Sequence, residues 1–174
     1  MVIALTGFML SGKTTYGRAA ALQLGLPFYD MDDLIEEQEG MTPKEIFAER
    51  GEATFRALEL DMLQRMIGRE EDFILALGGG VICNHRNREL LKIGAKTIWL
   101  KPSLDNSVFS DRWSKEVSRR PLLVNSTKED IIALFESRVP LYTDVADVIL
   151  DTDGFSDDEN IMRLVLKVKE LLNN

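Results

Sequence analysis

The chain has 174 residues, a formal net charge of −8 and a hydrophobic fraction of 45%, values typical of one ordinary globular domain. The acidic balance argues against a protein that binds the backbone of a nucleic acid, because no basic surplus is available for the phosphates. No apolar run approaches the ~20 residues of a membrane span, and a strand-like run begins at Val2, so we expect neither a membrane segment nor a signal peptide.

Strand-like and helix-like segments alternate from the first residues onward. The apolar run Val2–Leu5 predicts a strand, and Lys13–Leu24 follows it with apolar residues at helical spacing. Gly25-Leu26-Pro27 ends that helix, and Pro27–Tyr29 begins a second short strand that leads into Asp30. The beginning of the chain is therefore predicted to fold as a strand, a helix and a second strand.

The rest of the chain continues this alternation. Capping boxes at Thr42–Glu45 and Ser156–Glu159 predict the starts of two helices. Further strands are predicted at Phe73–Leu77, Thr97–Leu100 and Val148–Leu150. The alternation predicts a three-layer, doubly wound α/β fold, with a five-stranded parallel sheet and helices on both faces. In such folds, ligands bind beyond the carboxyl ends of the strands.

Residues 7–14 read Gly-Phe-Met-Leu-Ser-Gly-Lys-Thr, which matches the phosphate-loop pattern G-x-x-x-x-G-K-[ST] between a strand and a helix. The backbone N–H groups of such a loop form an anion site at a helix N-terminus. Gly7 and Gly12 would let the backbone adopt positive φ, Lys13 would reach the β- and γ-phosphates, and the Thr14 hydroxyl would bind magnesium. A chance match is the alternative, and the strand-to-helix context argues against it.

Two acidic residues, Asp30 and Asp32, follow the second predicted strand. One carboxylate could orient an acceptor hydroxyl or take its proton, and the other could hold magnesium through water. Alternatively, one of them only caps a helix that starts near Leu34. The run Phe73–Leu77 ends without an aspartate, so one of these two acids would have to organise the magnesium.

Glycines and arginines suggest a second ligand. Gly78–Gly80 would leave a wall without side chains against which another molecule could lie, although a tight turn is the alternative. Arg56, Arg120 and Arg138 could each bind a carboxylate through two parallel charge-assisted hydrogen bonds. Taken singly, each arginine is more often a surface salt-bridge partner.

Residues 111–125 are dense in charge and lack a regular apolar period. They are either a solvated surface loop or a mobile lid that carries cations over the phosphate site. The phosphate loop favours the lid.

No linker or internal repeat divides residues 1–174, so we expect a single domain. The one cysteine, Cys83, excludes an internal disulfide and is typical of a reducing compartment, so we expect a cytoplasmic protein. We also expect a monomer, because no surplus apolar face is evident in the sequence.

The ordered motifs resemble those of the shikimate kinases, which are small P-loop kinases with the nucleoside-monophosphate-kinase fold. A single one of these motifs is a weak signal for the family, whereas the ordered set, which runs through the whole chain, is highly specific. The matching segments are the phosphate loop at 7–14 with its continuation at 15–18, F-x-D-x-D at 28–32, G-E-x-x-F-R-x-x-E at 51–59, the glycines at 78–80, R-P-L-L at 120–123 and R-x-P-L-Y at 138–142.

The resemblance implies that ATP, with Mg²⁺ as cofactor, phosphorylates the 3-hydroxyl of shikimate on the route to chorismate and the aromatic amino acids. Lys13, Asp32 and Arg120 would then be catalytic, with Asp32 holding the reacting hydroxyl as candidate base and Arg120 moving with the lid onto the phosphates. Arg56 and Arg138 would clamp the carboxylate of shikimate. The remaining implied contacts are Gly78, Gly79 and Gly80 with the shikimate ring, Thr14 and Asp30 with magnesium, and Gly7, Leu10, Ser11, Gly12, Lys13, Thr14, Thr15, Arg112 and Arg120 with ATP.

Two positions depart from the family pattern. Leu10 stands where the family usually has glycine, so it would be strained if that site needs positive φ. Arg112 lies one position further from Arg120 than the arginine that the family uses against adenine, and Trp113 takes the usual place.

Other classes of P-loop protein compete with this interpretation. A gluconate-type kinase would share the loop and the lid, but Arg56 and Arg138 together with Asp32 favour a carboxylated polyol ring. A nucleoside-monophosphate kinase would usually have more arginine near the glycines. A GTPase switch is disfavoured because no N-K-x-D motif occurs, although Asp151–Gly154 fits D-x-x-G by accident.

Overall fold

The apolar runs of the sequence form one parallel sheet in the computed structural model, which describes residues 1–102 and 127–173. The strand order in this part of the chain is β2-β3-β1-β4-β5. The strands are β1 (Val2–Thr6), β2 (Phe28–Asp30), β3 (Phe73–Ala76), β4 (Ala95–Lys101) and β5 (Val148–Asp151). The predicted five-stranded α/β fold is therefore confirmed.

Strand β1 lies at the centre of the sheet and is buried along its whole length. Alternate side chains enter different cores, because successive residues of a strand point to opposite faces. Val2 and Ala4 pack into the core that contains Trp99, whereas Ile3 and Leu5 pack into the core on the other face. The two cores explain why β1 reads as a continuous apolar run.

Helices cover both faces of the sheet. They are α1 (Lys13–Leu24), α2 (Met31–Glu39), α3 (Pro43–Ile67), α4 (His85–Gly94), α5 (Lys128–Val145) and α6 (Asp157–Leu172), with a 3₁₀ helix at Val81–Cys83. Both predicted capping boxes are present, at Thr42 with Glu45 and at Ser156 with Glu159. None of the helices within the described ranges is both long and apolar enough to cross a membrane.

Two predicted elements have a boundary that differs from the structure by more than one residue, whereas the other predicted strands differ by one residue. The second helix starts at Met31, earlier than the predicted start near Leu34, because the Oδ1 atom of Asp30 accepts a hydrogen bond from the Asp32 N–H at 3.0 Å and caps it there. Strand β4 is longer at both ends than the predicted Thr97–Leu100, because its pairing with β1 begins at Ala95 and its pairing with β5 continues to Lys101. The predicted lid at 111–125 lies outside the described residues.

Strand pairing fixes the positions from which the site is built. Asp30 pairs with Ala76, so the end of β2 lies beside the end of β3. The Leu77 N–H donates to the Leu5 carbonyl at 3.0 Å, which joins the end of β3 to the end of β1. The acids after β2, the glycines after β3 and the loop after β1 therefore meet at one edge of the sheet.

Candidate active site

The loop between β1 and α1 has the backbone conformation of a phosphate loop. Gly7 and Gly12 both have positive φ, of 155° and 87°, as predicted. A Cβ atom at Gly12 would lie 2.6 Å from the Tyr16 ring, so a side chain has no room there. Gly12 also offers no side-chain cap to α1, whose first turn contains no acidic residue. The N–H groups at the start of α1 thus face a site suited to an anion.

Lys13 reaches back over this loop. Its Nζ atom donates to the carbonyl oxygens of Gly7 at 2.8 Å and Phe8 at 2.9 Å. These bonds place an ammonium group beside the loop N–H groups, where bound phosphate oxygens would replace the carbonyls as stronger, charged acceptors.

Thr14 and Asp30 connect the phosphate loop to the end of β2. The Thr14 Oγ1 donates to Asp30 Oδ2 at 2.6 Å. The other carboxylate oxygen of Asp30 caps α2, so the pair is held from both sides. Two oxygen ligands next to a phosphate site match the preference of Mg²⁺, which takes few protein ligands and completes its shell with phosphate and water.

The glycines after β3 let side chains approach the backbone closely. A Cβ atom at Gly78 would lie 2.9 Å from Asp32 Oδ1 and 3.1 Å from Glu59 Oε1, and one at Gly80 would overlap the Arg56 guanidinium. A Cβ atom at Gly79 would meet nothing within 4 Å, so this glycine borders open space. The alternative of a tight turn is present, because the Val81 and Cys83 N–H groups donate to the Gly78 and Gly80 carbonyls, whereas the wall for a second molecule stays a prediction.

Arg56 and Glu59 form a partly buried ion pair beside these glycines. Arg56 Nη1 donates to Glu59 Oε2 at 2.7 Å, and Nη2 donates to Glu52 Oε1 at 3.0 Å. The Glu59 side chain is only 1% exposed and that of Arg56 is 22% exposed. Burial raises the pKa of Glu59 to about 7, and repulsion from Asp32 adds to this, whereas Arg56 opposes it.

Arg138 approaches the same glycines from α5. Its Nη1 atom donates to the Gly79 carbonyl at 3.1 Å, and its guanidinium lies 5.9 Å from the centre of the Phe8 ring. Phe8 belongs to the phosphate loop, so Arg138 lies between that loop and the glycine turn. Two arginines on different helices therefore converge on residues 78–80.

The comparisons with known proteins agree with this geometry. A family model described as "Shikimate kinase" matches residues 9–169. This chain belongs to the shikimate kinase family. Curated shikimate kinases from Streptococcus suis and Dictyoglomus turgidum are 38% and 32% identical to it, over 96% and 97% of this chain and 100% and 97% of the relatives.

Solved structures of shikimate kinases also share the fold. The enzyme from Bacteroides thetaiotaomicron is 37% identical, with a TM-score of 0.85, and the match covers 100% of this chain and 99% of that chain. The enzyme from Acinetobacter baumannii, solved in complex with shikimate, is 32% identical with a TM-score of 0.86, over 97% of this chain and 93% of that chain. The predicted P-loop kinase fold, family and kinase function are confirmed.

Several predicted site residues of this shikimate kinase are brought together. The structure places Asp32, Arg56 and Arg138 around Gly78–Gly80. On the phosphate side it places Gly7, Leu10, Ser11, Gly12, Lys13 and Thr14 in one loop, with Asp30 bonded to Thr14. Thr15 is exposed in the first turn of α1. Arg112 and Arg120 lie outside the described residues, so their predicted contacts stay predictions.

Sequence reasoning did not include Glu59 among the site residues. It lies three positions after Arg56 on α3, a spacing that places two helical side chains on one face. The acid at the end of the G-E-x-x-F-R-x-x-E motif was the available signal. Its burial beside Asp32 could not be read from the motif, because it depends on how α3 packs over the glycine turn.

Leu10 is the point at which this shikimate kinase departs from the usual family loop. Its φ is 65°, and it is the only non-glycine residue with positive φ among those described. A side chain in this conformation costs about 1–2 kcal/mol. Leu10 packs against the large core cluster, and its neighbour Ser11 is 2% exposed. The predicted strain is therefore present, and packing of the side chain offsets it.

We expect Leu10→Gly to be less destabilising than Leu10→Ala. Both variants lose the packing of the leucine side chain, but only glycine also releases the strain at φ 65°. At an ordinary position, alanine would be the more stable of the two by about 0.5–1 kcal/mol. Urea unfolding of both variants measures the order. The control is the pair Leu22→Ala and Leu22→Gly, at an exposed position of α1 where the ordinary order should hold. Greater stability of Leu10→Ala would contradict strain at this position.

Proposed function

We propose that this chain transfers the γ-phosphoryl group of ATP to the 3-hydroxyl of shikimate. The observation that carries the proposal is the convergence of Asp32, Arg56 and Arg138 on the glycine turn, beside the phosphate loop. Phosphoryl transfer needs little covalent chemistry from the protein, so the arrangement has to align two substrates and balance negative charge.

The phosphate loop forms the donor half of the proposed site. The N–H groups at the start of α1 and the Lys13 ammonium would bind the β- and γ-phosphates and stabilise the charge that spreads over them in the transition state. Thr14 and Asp30 would hold Mg²⁺ through oxygen atoms. When bound, Mg²⁺ neutralises phosphate charge and fixes the orientation of the phosphate oxygens. Arg120 would contact the same phosphates and Arg112 the adenine.

The glycine turn forms the acceptor half. Arg56 and Arg138 would bind the carboxylate of shikimate, because a planar guanidinium offers parallel donors to a carboxylate. The open space at Gly79 would accommodate the ring. Asp32 would accept a hydrogen bond from the 3-hydroxyl and take its proton as the phosphoryl group is transferred.

The decisive experiment follows ADP release by the purified protein with Mg-ATP and one acceptor at a time. Shikimate, gluconate and nucleoside monophosphates are compared, and mass spectrometry identifies the product. Of the acceptors compared, we expect only shikimate to support ADP release. A Lys13→Ala protein purified in parallel controls for a contaminating host kinase. Gluconate-dependent release, or no shikimate-dependent release, would overturn the proposal.

We also infer that the protein is a cytoplasmic monomer. The cytoplasmic compartment is inferred from the single cysteine, Cys83, which is exposed in the structure and would be open to oxidation outside a reducing compartment. The monomer is inferred from the sequence, in which no surplus apolar face is evident. Light scattering measures the mass in solution, for which the monomer value is 19.7 kDa.

A further inference from the structure

Tyr142 is a fully buried tyrosine behind the acceptor half of the site. It lies in α5 with 0% exposure, and its ring stacks on Trp99 at a centroid distance of 5.2 Å and an interplanar angle of 18°. Its hydroxyl makes no hydrogen bond of ordinary geometry with any residue in 1–102 or 127–173. Phenylalanine would fill the same space without burying an unpaired hydroxyl, so the hydroxyl calls for a physical reason.

A charged group that acts on this hydroxyl is Arg138, which precedes Tyr142 by one turn of the same helix. This spacing places both side chains on one face of α5. Arg138 donates to the Gly79 carbonyl at 3.1 Å, and this bond uses only one of the five N–H donors of the guanidinium. The other donors are available to a carboxylate of the acceptor and to a neighbouring oxygen.

The Tyr142 hydroxyl is suited to be that oxygen. Burial raises the pKa of Tyr142 to about 12, while the adjacent Arg138 acts in the opposite direction. The hydroxyl is therefore neutral at physiological pH and can accept a hydrogen bond from a guanidinium, which can only donate.

We infer that Tyr142 is a positioning residue for Arg138: its hydroxyl accepts a hydrogen bond from the guanidinium when the arginine binds the acceptor carboxylate. A guanidinium is planar, so holding one edge against Gly79 and Tyr142 fixes the direction in which the other edge presents its donors. The inference rests on the proposed function, in which Arg138 binds shikimate.

Tyr142→Phe tests this directly, because it removes the hydroxyl and keeps the ring that stacks on Trp99. We expect the KM for shikimate to rise roughly fivefold to tenfold, with kcat and the KM for ATP within about twofold of the wild type. We expect the melting temperature to stay close to that of the wild type, because the ring that stacks on Trp99 is kept. Tyr29→Phe is the matched control, since its hydroxyl bonds to Glu71 at 3.3 Å and should leave the KM for shikimate unchanged.

A double-mutant cycle with Arg138→Ala distinguishes positioning from a general structural role. If Tyr142 acts through Arg138, Tyr142→Phe changes the KM for shikimate no further once the arginine is removed. Additive effects in the cycle, or an unchanged KM for shikimate in the single variant, would each overturn the inference. Wild-type turnover is measured first: its absence would refute the proposed function and with it this inference, whereas normal turnover with an unaffected Tyr142→Phe would refute the inference alone.

Discussion

Lys13→Ala is expected to lower kcat about 10³-fold, as the loss of a group that stabilises transition-state charge does in other sites. The ammonium lies over the phosphate loop, with Nζ 2.8 Å from the Gly7 carbonyl oxygen and 2.9 Å from that of Phe8, so truncation removes a positive charge beside the proposed phosphate site. Steady-state assays with saturating Mg-ATP and shikimate measure the loss, and a thermal melt checks the fold. Lys44→Ala, which truncates an exposed lysine on α3, should leave kcat unchanged.

Asp32→Asn provides an internal comparison for that result. A loose transition state needs charge neutralised more than it needs a strong base, so Asp32 would mainly orient the acceptor hydroxyl. We therefore expect Lys13→Ala, and equally Arg120→Ala, to cost more turnover than Asp32→Asn. A larger loss in Asp32→Asn would show that proton removal limits the reaction and would contradict the ranking.

The elements that carry strong local patterns were predictable from the sequence. Helix α1 has the predicted bounds, Lys13–Leu24, because it begins after Gly12 and ends at Gly25, and both glycines adopt left-handed conformations that end regular structure. The strain at Leu10 was also predictable, since the phosphate loop imposes a backbone shape whatever residue occupies the position. In these cases, the local sequence determines the local conformation.

Features that depend on packing between elements were not predictable. Asp30 was expected either to cap a helix or to serve the magnesium site, and the structure has each of its two oxygens in a different contact. The sequence shows one carboxylate but not which neighbour each oxygen meets. Glu59 is a similar case: its raised pKa arises from burial against the glycine turn, which only the tertiary fold creates.

The site therefore has two halves of different origin. The phosphate loop of the proposed donor half is a continuous segment, and its chemistry follows from one motif. The acceptor half is assembled from α2, α3, α5 and the turn after β3, and the parallel order β2-β3-β1 brings it next to the donor half. Parallel strands thus bring arginines and acids that are distant in the sequence to one edge of the sheet.

Arg56→Ala is expected to have the largest effect on stability, a loss of about 3–5 kcal/mol of unfolding free energy at about pH 8. The reason is that Glu59, whose side chain is 1% exposed in the structure, would lose the guanidinium that bonds to it at 2.7 Å. Arg56 lowers the pKa of Glu59 against the effect of burial, so its removal should raise that pKa further above 7. A carboxyl whose pKa is raised by folding binds more protons in the folded state, and stability then falls as pH rises from the unfolded pKa towards the folded one. The unfolding free energy of the wild type stops falling near pH 7, where Glu59 is ionised in the folded state as well. In Arg56→Ala the pKa of Glu59 is higher, so the unfolding free energy keeps falling. The difference in unfolding free energy between the two proteins should therefore widen above about pH 7.

Urea unfolding at about pH 5 and about pH 8 measures both the loss and its pH dependence. The same helix offers a matched control in Arg65, which pairs with Asp61 at 2.6 Å but with side chains that are 60% and 47% exposed. Arg65→Ala should cost at most about 1 kcal/mol and show no comparable pH dependence. Equal losses of unfolding free energy in Arg56→Ala and Arg65→Ala would contradict a buried charge on Glu59. A loss in Arg56→Ala that does not vary with pH would contradict it as well.

Adding Glu59→Gln to Arg56→Ala separates the structural role of the arginine from its proposed role in binding. The neutral amide removes the unpaired buried charge, so the double variant should recover stability at about pH 8 relative to Arg56→Ala alone. It should not recover the KM for shikimate, because the guanidinium that would bind the carboxylate is still missing. Recovery of both quantities would mean that Arg56 acts only by neutralising Glu59, and the shikimate carboxylate would then depend on Arg138 for its charge partner at the glycine turn.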